Sequence, residues 1–182
     1  EIKLIGEHNQ QNVCAAVTAV WQITPDLGAI RKVLASFSGL PHRLELVREV
    51  DGVKYYDDSF GTTPQTAIVA MKALVQPQVL ILGGSDKGLA FEPMVEEAIK
   101  DRTRHVITIG QTGSKIEQML RERGFDKITA GLSKMTDIVA EARKVARAGD
   151  VVLLSTGCAS FGLFHDYKDR GDQFKVAVQS LS

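Results

Sequence analysis

The sequence predicts an α/β fold: a Rossmann-like, mostly parallel sheet with one antiparallel edge strand, flanked by helices. Three observations carry this expectation. Val79-Leu80-Ile81-Leu82 and Val151-Val152-Leu153-Leu154 are uninterrupted apolar runs, as in parallel strands covered on both faces. From about residue 60 onward, strand-like and helix-like segments alternate with short connections, which implies right-handed βα units. Asp51-Gly52 lies between two strand-like runs and is a two-residue hairpin signal, which supplies the antiparallel edge.

The elements follow in chain order. Lys3-Leu4-Ile5 reads as part of a strand. A helix is expected from His8-Asn9 to about Trp21, because Val13, Ala16, Val17 and Val20 recur at three- and four-residue spacing. His8-Asn9 at its start reads as a cap. Pro25-Asp26 opens a second helix to about Phe37, with Leu27, Ile30, Val33 and Leu34 on one side. Ser38-Gly39-Leu40-Pro41 breaks the pattern and marks a domain boundary. Leu44 to Val50 and Val53 to Tyr56 form the hairpin. Further strands are expected at 79–82, 105–109, 127–130 and 150–154, and helices at 63–75, 91–101, 113–123, 134–147 and 165–180. The 134–147 segment is well patterned, with Met135, Ile138, Val139, Ala142, Val145 and Ala146 on one face.

Composition excludes several classes of function. The 182 residues are 44% hydrophobic and 24% charged, ordinary for a folded globular domain. Twenty-two basic residues balance 22 acidic ones, so no electrostatic case exists for nucleic acid or an anionic membrane. No apolar stretch reaches the ~20 residues that span a bilayer. Cys14 and Cys158 belong to no C-x-x-C pair, which leaves a zinc site unsupported and reduced thiols in a cytoplasmic setting expected. At this size the folded surface should be roughly 8,600 Å². The chain opens at Glu1 without Met and reads as part of a longer protein.

In sheets of this type, ligands bind outside the carboxyl ends of the strands. That rule selects four segments: 57–63, 83–88, 110–113 and 155–164. In Gly83-Gly84-Ser85-Asp86-Lys87-Gly88 the glycines permit close approach to a ligand, and Lys87 offers a point charge to a carboxylate or phosphate; a solvated loop lysine is the equal alternative. It is not a P-loop, since G-x-x-x-x-G-K-[ST] occurs nowhere in the sequence. Gly110-Gln111-Thr112-Gly113-Ser114-Lys115 reads as a strand-to-helix turn with a capping role. Asp57-Asp58-Ser59-Phe60-Gly61-Thr62-Thr63-Pro64 ends a strand and opens a helix, whose free amides favour an anion. There Asp58 can accept from a ribose or hold a cation, and Thr62 or Thr63 can simply cap the helix. Ser155-Thr156-Gly157-Cys158-Ala159-Ser160-Phe161 reads as a close-approach loop with Cys158 as a buried structural thiol. His42-Arg43, at the expected boundary, reads as a hinge or surface pair.

Together these segments resemble the Mur ligase family, in the branch that adds D-glutamate. The matching stretches are Gly6-x-His8-Asn9-x-x-Asn12, Phe37-x-Gly39-Leu40-Pro41-His42-Arg43-x-Glu45, Asp57-Asp58-Ser59, Leu82-Gly83-Gly84-x-Asp86-Lys87-Gly88, and Cys158-Ala159-Ser160-Phe161 followed by Arg170-Gly171-x-x-Phe174. They run in the family's order over nearly the whole chain. The resemblance implies that residues 1–39 are the tail of a central ATPase domain and that 40–182 are the C-terminal amino-acid-binding domain. The UDP-binding domain and the P-loop would lie outside this chain.

The implied reaction is ATP-dependent amide formation between D-glutamate and UDP-N-acetylmuramoyl-L-alanine through an acyl phosphate, in peptidoglycan precursor synthesis. By resemblance, Asn9 and Asn12 lie near adenine, and Arg43 and Asp58 meet the nucleotide's phosphate and ribose. Thr62, Lys87, Ser160 and the backbone amide of Tyr167 bind D-glutamate, and Arg43 and Lys87 are the residues tied most directly to catalysis. ATP and Mg²⁺ are implied, held mainly by the central domain, with no metal ligand in this chain. The partners implied are the two substrates and the enzyme's own other domains, in a cytoplasmic monomer with no nucleic acid or membrane partner. Three departures stand out: Phe60-Gly61-Thr62-Thr63 replaces the family's usual Lys-Ala-Thr-Asn, Thr156-Gly157 its Pro-Ala, and Tyr167 its Phe. A stand-alone nucleotide or regulatory binding module, and a sister Mur or folylpolyglutamate-type ligase with another amino acid, are the alternatives.

Overall fold

A computed structural model describes residues 2–182. The chain runs α1 (Glu7–Trp21), α2 (Leu27–Ser36), β1 (Glu45–Val50), β2 (Val53–Asp57), α3 (Pro64–Ala73), β3 (Gln78–Leu82), α4 (Glu92–Ala98), β4 (Thr103–Ile109), α5 (Gly113–Glu122), β5 (Ile128–Leu132), α6 (Met135–Val145), β6 (Val151–Leu154) and α7 (Tyr167–Gln179). One six-stranded sheet has the order β1-β2-β6-β3-β4-β5. Only β1 and β2 are antiparallel; every other pairing is parallel. This is the fold class expected from the sequence.

The sheet is covered on both faces, so strand residues alternate between two cores. Val152 and Leu154 of β6 join Val79, Ile81, Ile107 and Phe174 on the α6–α7 side. Val151 and Leu153 join Leu80, Leu82, Met71 and Leu120 on the α3–α5 side. All four β6 residues and all five of β3 are buried, which explains why those strands read as unbroken apolar runs. The 5-to-6 return places β6 between β2 and β3, so the loops after β2, β3 and β6 emerge side by side at one sheet end.

Helix starts follow local chemistry. Thr63 caps α3 in a reciprocal capping box with Thr66, and Pro64 takes the first helical position, where its missing N–H costs nothing. Asp26 caps α2 through Ala29 N, and Asp166 caps α7 through Asp169 N.

Three expectations require correction. Lys3-Leu4-Ile5 forms no strand, because no sheet edge reaches it. His8 and Asn9 do not cap α1: the N-cap is Gly6, and Asn9 Nδ2 donates back to the Ile5 carbonyl at 2.8 Å. Thr112 makes no capping bond to α5 either. Its hydroxyl accepts from Gly84 N at 3.0 Å and so ties the β3 and β4 loops together.

Neither α1 nor α2 contains a buried residue, although both carry apolar stripes. Trp21, Leu27, Val33 and Phe37 are exposed. The total accessible surface is 9552 Å², larger than the roughly 8,600 Å² expected for a compact chain of this mass. The excess matches helices that lie outside the core.

The largest fully buried side chain is a charged one, Arg170 on α7. Its Nε donates to Ser59 Oγ at 2.8 Å, its Nη1 to Cys158 O at 3.0 Å and its Nη2 to Ser59 O at 2.7 Å. Burial lowers its pKa to about 10, so the guanidinium stays charged at neutral pH. Arg170→Met should destabilise the fold by about 3–5 kcal/mol in urea unfolding, because it leaves the buried Ser59 carbonyl without a donor, breaks the bonds to Ser59 Oγ and Cys158 O, and removes the charge facing Asp57 and Asp58. Arg170→Lys should recover only part of the loss, since an ammonium lacks the planar fork.

Candidate functional site

The site is built from loops whose backbones approach one another closely. Ser85 and Ala159 form an isolated antiparallel bridge, with Ser85 N donating to Ala159 O at 2.9 Å. That approach requires Gly84: its φ is +158°, and a Cβ there would overlap the Ala159 carbonyl. The glycine-rich loop after β3 is therefore fastened to the small-residue loop after β6.

A second contact closes the turn before β1. His42 and Leu44 both have left-handed backbones, with φ of 62° and 43°. The turn is pinned on several sides. His42 Nδ1 lies 2.7 Å from Asp57 Oδ2, and His42 N donates to Glu45 Oε2 at 2.9 Å. Leu44 N donates to Asp58 Oδ1 at 3.1 Å, and Phe60 N to His42 O at 3.1 Å. Arg43 is thus displayed, exposed, from a rigid turn. Its guanidinium carbon sits 4.6 Å from the centroid of the Phe60 ring, and it has no carboxylate within salt-bridge reach among the described residues.

These elements enclose a cleft of about 340 Å³ between α1, the Arg43 turn and the start of α3. Asn9, Asn12, Arg43 and Asp58 all line it, so four of the residues singled out from sequence share one cleft. His8 and Phe60 line it as well. Burial, with Arg43 nearby, lowers the His8 pKa below the ordinary imidazole value.

The other four residues are placed differently. Thr62 and Lys87 face one small depression with Gly157, Cys158 and Ala159. Lys87 is exposed, without an ion-pair partner among the described residues. Ser160 is buried and does not line that depression. Tyr167 packs edge-on against Phe60 at 5.1 Å and His42 at 5.9 Å, and its carbonyl accepts from Ser59 Oγ at 2.8 Å. Its backbone N–H opens α7, where amides lack an intrahelical partner.

Cys158 is buried, and burial pushes its thiol pKa up. That is the environment of an inert structural cysteine. The one compact group of potential metal ligands, among the described residues, is His42, Glu45 and Asp57. It does not fit a magnesium ion. Lys175 Nζ sits 2.6 Å from Glu45 Oε2 and 3.7 Å from Asp57 Oδ2, so an ammonium already neutralises both carboxylates.

The model for the Mur ligase glutamate ligase domain matches residues 42–158. The chain belongs to the Mur ligase family. Among curated Mur ligases, the UDP-N-acetylmuramoylalanine–D-glutamate ligase of Symbiobacterium thermophilum is 43% identical over 100% of this chain and 40% of its own length. The ligase of the same name from Lachnospira eligens is 42% identical, again over 100% of this chain and 40% of its own. The chain therefore spans about two fifths of the length of the curated relatives it matches. Among solved Mur-type structures, UDP-N-acetylmuramate-alanine ligase MurC of Thermotoga maritima superposes with a TM-score of 0.73 at 16% identity, covering 98% of this chain and 39% of that one. Folylpolyglutamate synthase of Mycobacterium tuberculosis, complexed with ADP and AMPPCP, gives 0.68 at 16% identity over 86% of this chain and 39% of its own. At such identities these two likenesses show the fold. No described helix is long and apolar enough to cross a membrane.

Sequence reasoning undervalued Arg170 and Phe60. In the sequence Arg170 is one member of a motif, and nothing local to it signals burial. Phe60 departs from the family's usual lysine, and its contact with Arg43 crosses seventeen positions.

Asp58 carries a pH signature. Burial raises its carboxyl to about 6, against the bonds from Ser155 and Leu44 that pull it down; the Asp57 charge adds to the rise and that of Arg43 opposes it. The unfolded carboxyl titrates near 3.8. Between those values the folded chain binds more protons than the unfolded one. The stabilising contribution of protonated Asp58 is thus full below about pH 4 and is lost as pH rises through about 6. Asp58→Asn keeps an oxygen for Leu44 N and presents an amide to Ser155 Oγ. Chemical denaturation should show the variant more stable than wild type by about 1–3 kcal/mol at pH 8, with the gap closing towards pH 4.

Proposed function

We propose that this chain is the C-terminal part of an ATP-dependent, ADP-forming ligase that joins D-glutamate to UDP-N-acetylmuramoyl-L-alanine in the cytoplasm. Residues 1–39 are the tail of its central ATPase domain, and 40–182 its amino-acid-binding domain. The observation that carries this reading is the shared cleft of Asn9, Asn12, Arg43 and Asp58, with Lys87 presented from a neighbouring loop at the same end of the sheet.

The cleft suits a nucleotide. Amide side chains of Asn9 and Asn12 offer both donors and acceptors to a purine edge. Asp58 offers remaining lone pairs to a ribose hydroxyl, and Arg43 a bidentate fork to phosphate. The amino-acid side uses Lys87, the Thr62 and Ser160 hydroxyls, and the opening amide of α7 at Tyr167. A dicarboxylate needs one cation with neutral donors; Lys87 and Thr62 share one depression, and Ser160 and Tyr167 lie on the neighbouring loop and helix.

The reaction transfers the γ-phosphoryl group of ATP to the acceptor's carboxylate, giving ADP and an acyl phosphate. The D-glutamate amine attacks the acyl carbon, the C–O bond to phosphate breaks, phosphate leaves with the bonding pair, and the amine loses a proton. Arg43 stabilises phosphate charge; Lys87 orients the nucleophile through a carboxylate. Mg²⁺ would neutralise nucleotide phosphates and is bound elsewhere in the enzyme, since the groups present here do not fit it.

In the full-length enzyme, Lys87→Ala should raise the D-glutamate KM roughly 10- to 150-fold, the loss of one charge-assisted bond, with a much smaller change for ATP. Ser160→Ala should act the same way and more weakly. Arg43→Lys should lower kcat about tenfold or more with little change in Tm, since it loses the bidentate fork from an exposed turn. The isolated chain, given ATP, Mg²⁺, D-glutamate and UDP-N-acetylmuramoyl-L-alanine, should release no phosphate. An Arg43→Lys enzyme with full turnover, or a Lys87→Ala enzyme affected only in its ATP KM, contradicts these assignments. A panel of D- and L-amino acids tests the choice of D-glutamate.

A further inference from the structure

The Arg43 guanidinium is exposed, charged and flexible by nature, yet it must point into one cleft. No carboxylate holds it among the described residues. What meets it is the face of the Phe60 ring, 4.6 Å from centroid to guanidinium carbon. That is within the range of an attractive cation–π contact.

Phe60 itself is 43% exposed, so burial alone does not account for where its ring lies. Its position is fixed from both ends. The backbone N–H donates to His42 O at 3.1 Å, which locks the residue to the turn that carries Arg43. The ring edge meets Tyr167 at 5.1 Å in a T-shaped pair, with planes 88° apart. Tyr167 in turn meets His42 edge-on at 5.9 Å. The four side chains form a run from Arg43 through Phe60 and Tyr167 to His42, and the last of these is anchored on Asp57.

We propose that Phe60 is a positioning residue, whose ring holds the Arg43 guanidinium over the nucleotide cleft and braces it against Tyr167 at the start of α7. This rests on the ligase reading given above. The ring acts by restricting Arg43 before phosphate arrives, so its effect is felt in ATP use and in turnover rather than in binding of the UDP-linked acceptor. Because Tyr167 opens the helix assigned to the amino acid, one aromatic contact spans the two halves of the site.

The test uses two variants and two readouts. In the full-length enzyme, Phe60→Leu removes the π face and keeps an apolar side chain at an exposed position. It should lower kcat/KM for ATP about 2- to 10-fold, with the KM for the UDP-linked acceptor and the Tm unchanged. Phe60→Tyr retains the ring and should restore wild-type kinetics. In the chain itself, NMR should show the Arg43 side-chain Nε–Hε and δ-methylene protons shifted upfield by the ring, with the shift abolished in Phe60→Leu and kept in Phe60→Tyr. The proposal is overturned by wild-type kinetics in Phe60→Leu, or by a Phe60→Tyr enzyme as impaired as Phe60→Leu. It is also overturned by an unshifted Arg43 in the wild-type chain. If the full-length protein forms no ADP with these substrates, the ligase reading fails on its own, and the Arg43 shift and its loss in Phe60→Leu still decide whether the ring holds the guanidinium.

Discussion

Arg170 donates from a fully buried position to the hydroxyl and carbonyl of Ser59 and to the carbonyl of Cys158, and so joins three segments that are remote in sequence. Ser59 follows β2, Cys158 follows β6, and Arg170 lies on α7. A backbone carbonyl buried without a donor is costly, so a loop crowded against the sheet end must find one. The guanidinium supplies donors in a fixed plane and resists deprotonation even when burial lowers its pKa to about 10. Nearby Asp57 and Asp58 give its charge a counterpart. The result is a rigid platform that holds in place Asp58 and Thr62 on one loop and Gly157 and Ser160 on another.

The turn at His42 depends on the same platform. Its left-handed residues would be strained without fixed partners, and it has them: Asp57, Glu45 and the Phe60 amide. Gly171, next to Arg170 on α7, leaves the room that this turn needs. A Cβ there would overlap His42 Nδ1 and stand 2.7 Å from Asp57 Oδ2. One helix therefore sets both the depth of the β2 and β6 loops and the seat of the turn that displays Arg43. The helices of residues 7–36 lead into the sheet domain through that turn, and Ile5, just before α1, packs against the core on the α3 side.

The sequence made the layers of the fold visible because burial on two faces writes itself as apolar runs, as in β3 and β6, and because Asp51-Gly52 has few uses other than a hairpin. Helices α3 and α6 were legible from a proline at the first turn and from a regular apolar face. The position of β6 between β2 and β3 was not legible, since strand order is decided by contacts between residues almost a hundred positions apart. Four candidate residues gather in one cleft; of these only Asp58 follows from loop position, while Asn9, Asn12 and Arg43 follow from the family resemblance alone. The capping role expected of the Gly110–Lys115 turn fails because a hydroxyl at a helix start has two uses, and the Gly84 backbone takes that of Thr112. Lys3-Leu4-Ile5 misled because a short apolar alternation says nothing about whether an edge is available to pair with it.

Three cations at the same end of the sheet show how one residue class is divided between structure and ligand. Arg170 has partners for Nε, Nη1 and Nη2 and no contact with solvent, so its donors are committed to the protein. Arg43 has only the face of a ring, and Lys87 no described partner at all. A cation whose donors are filled cannot bind a substrate without breaking the fold. One whose donors are open gains nothing for stability by its charge and keeps its full capacity for an anion. Exposure of Arg43 and Lys87 is therefore what the proposed roles toward phosphate and carboxylate require of these two cations. The buried arginine makes that exposure useful, because open donors serve recognition only when the loops that carry them are held still.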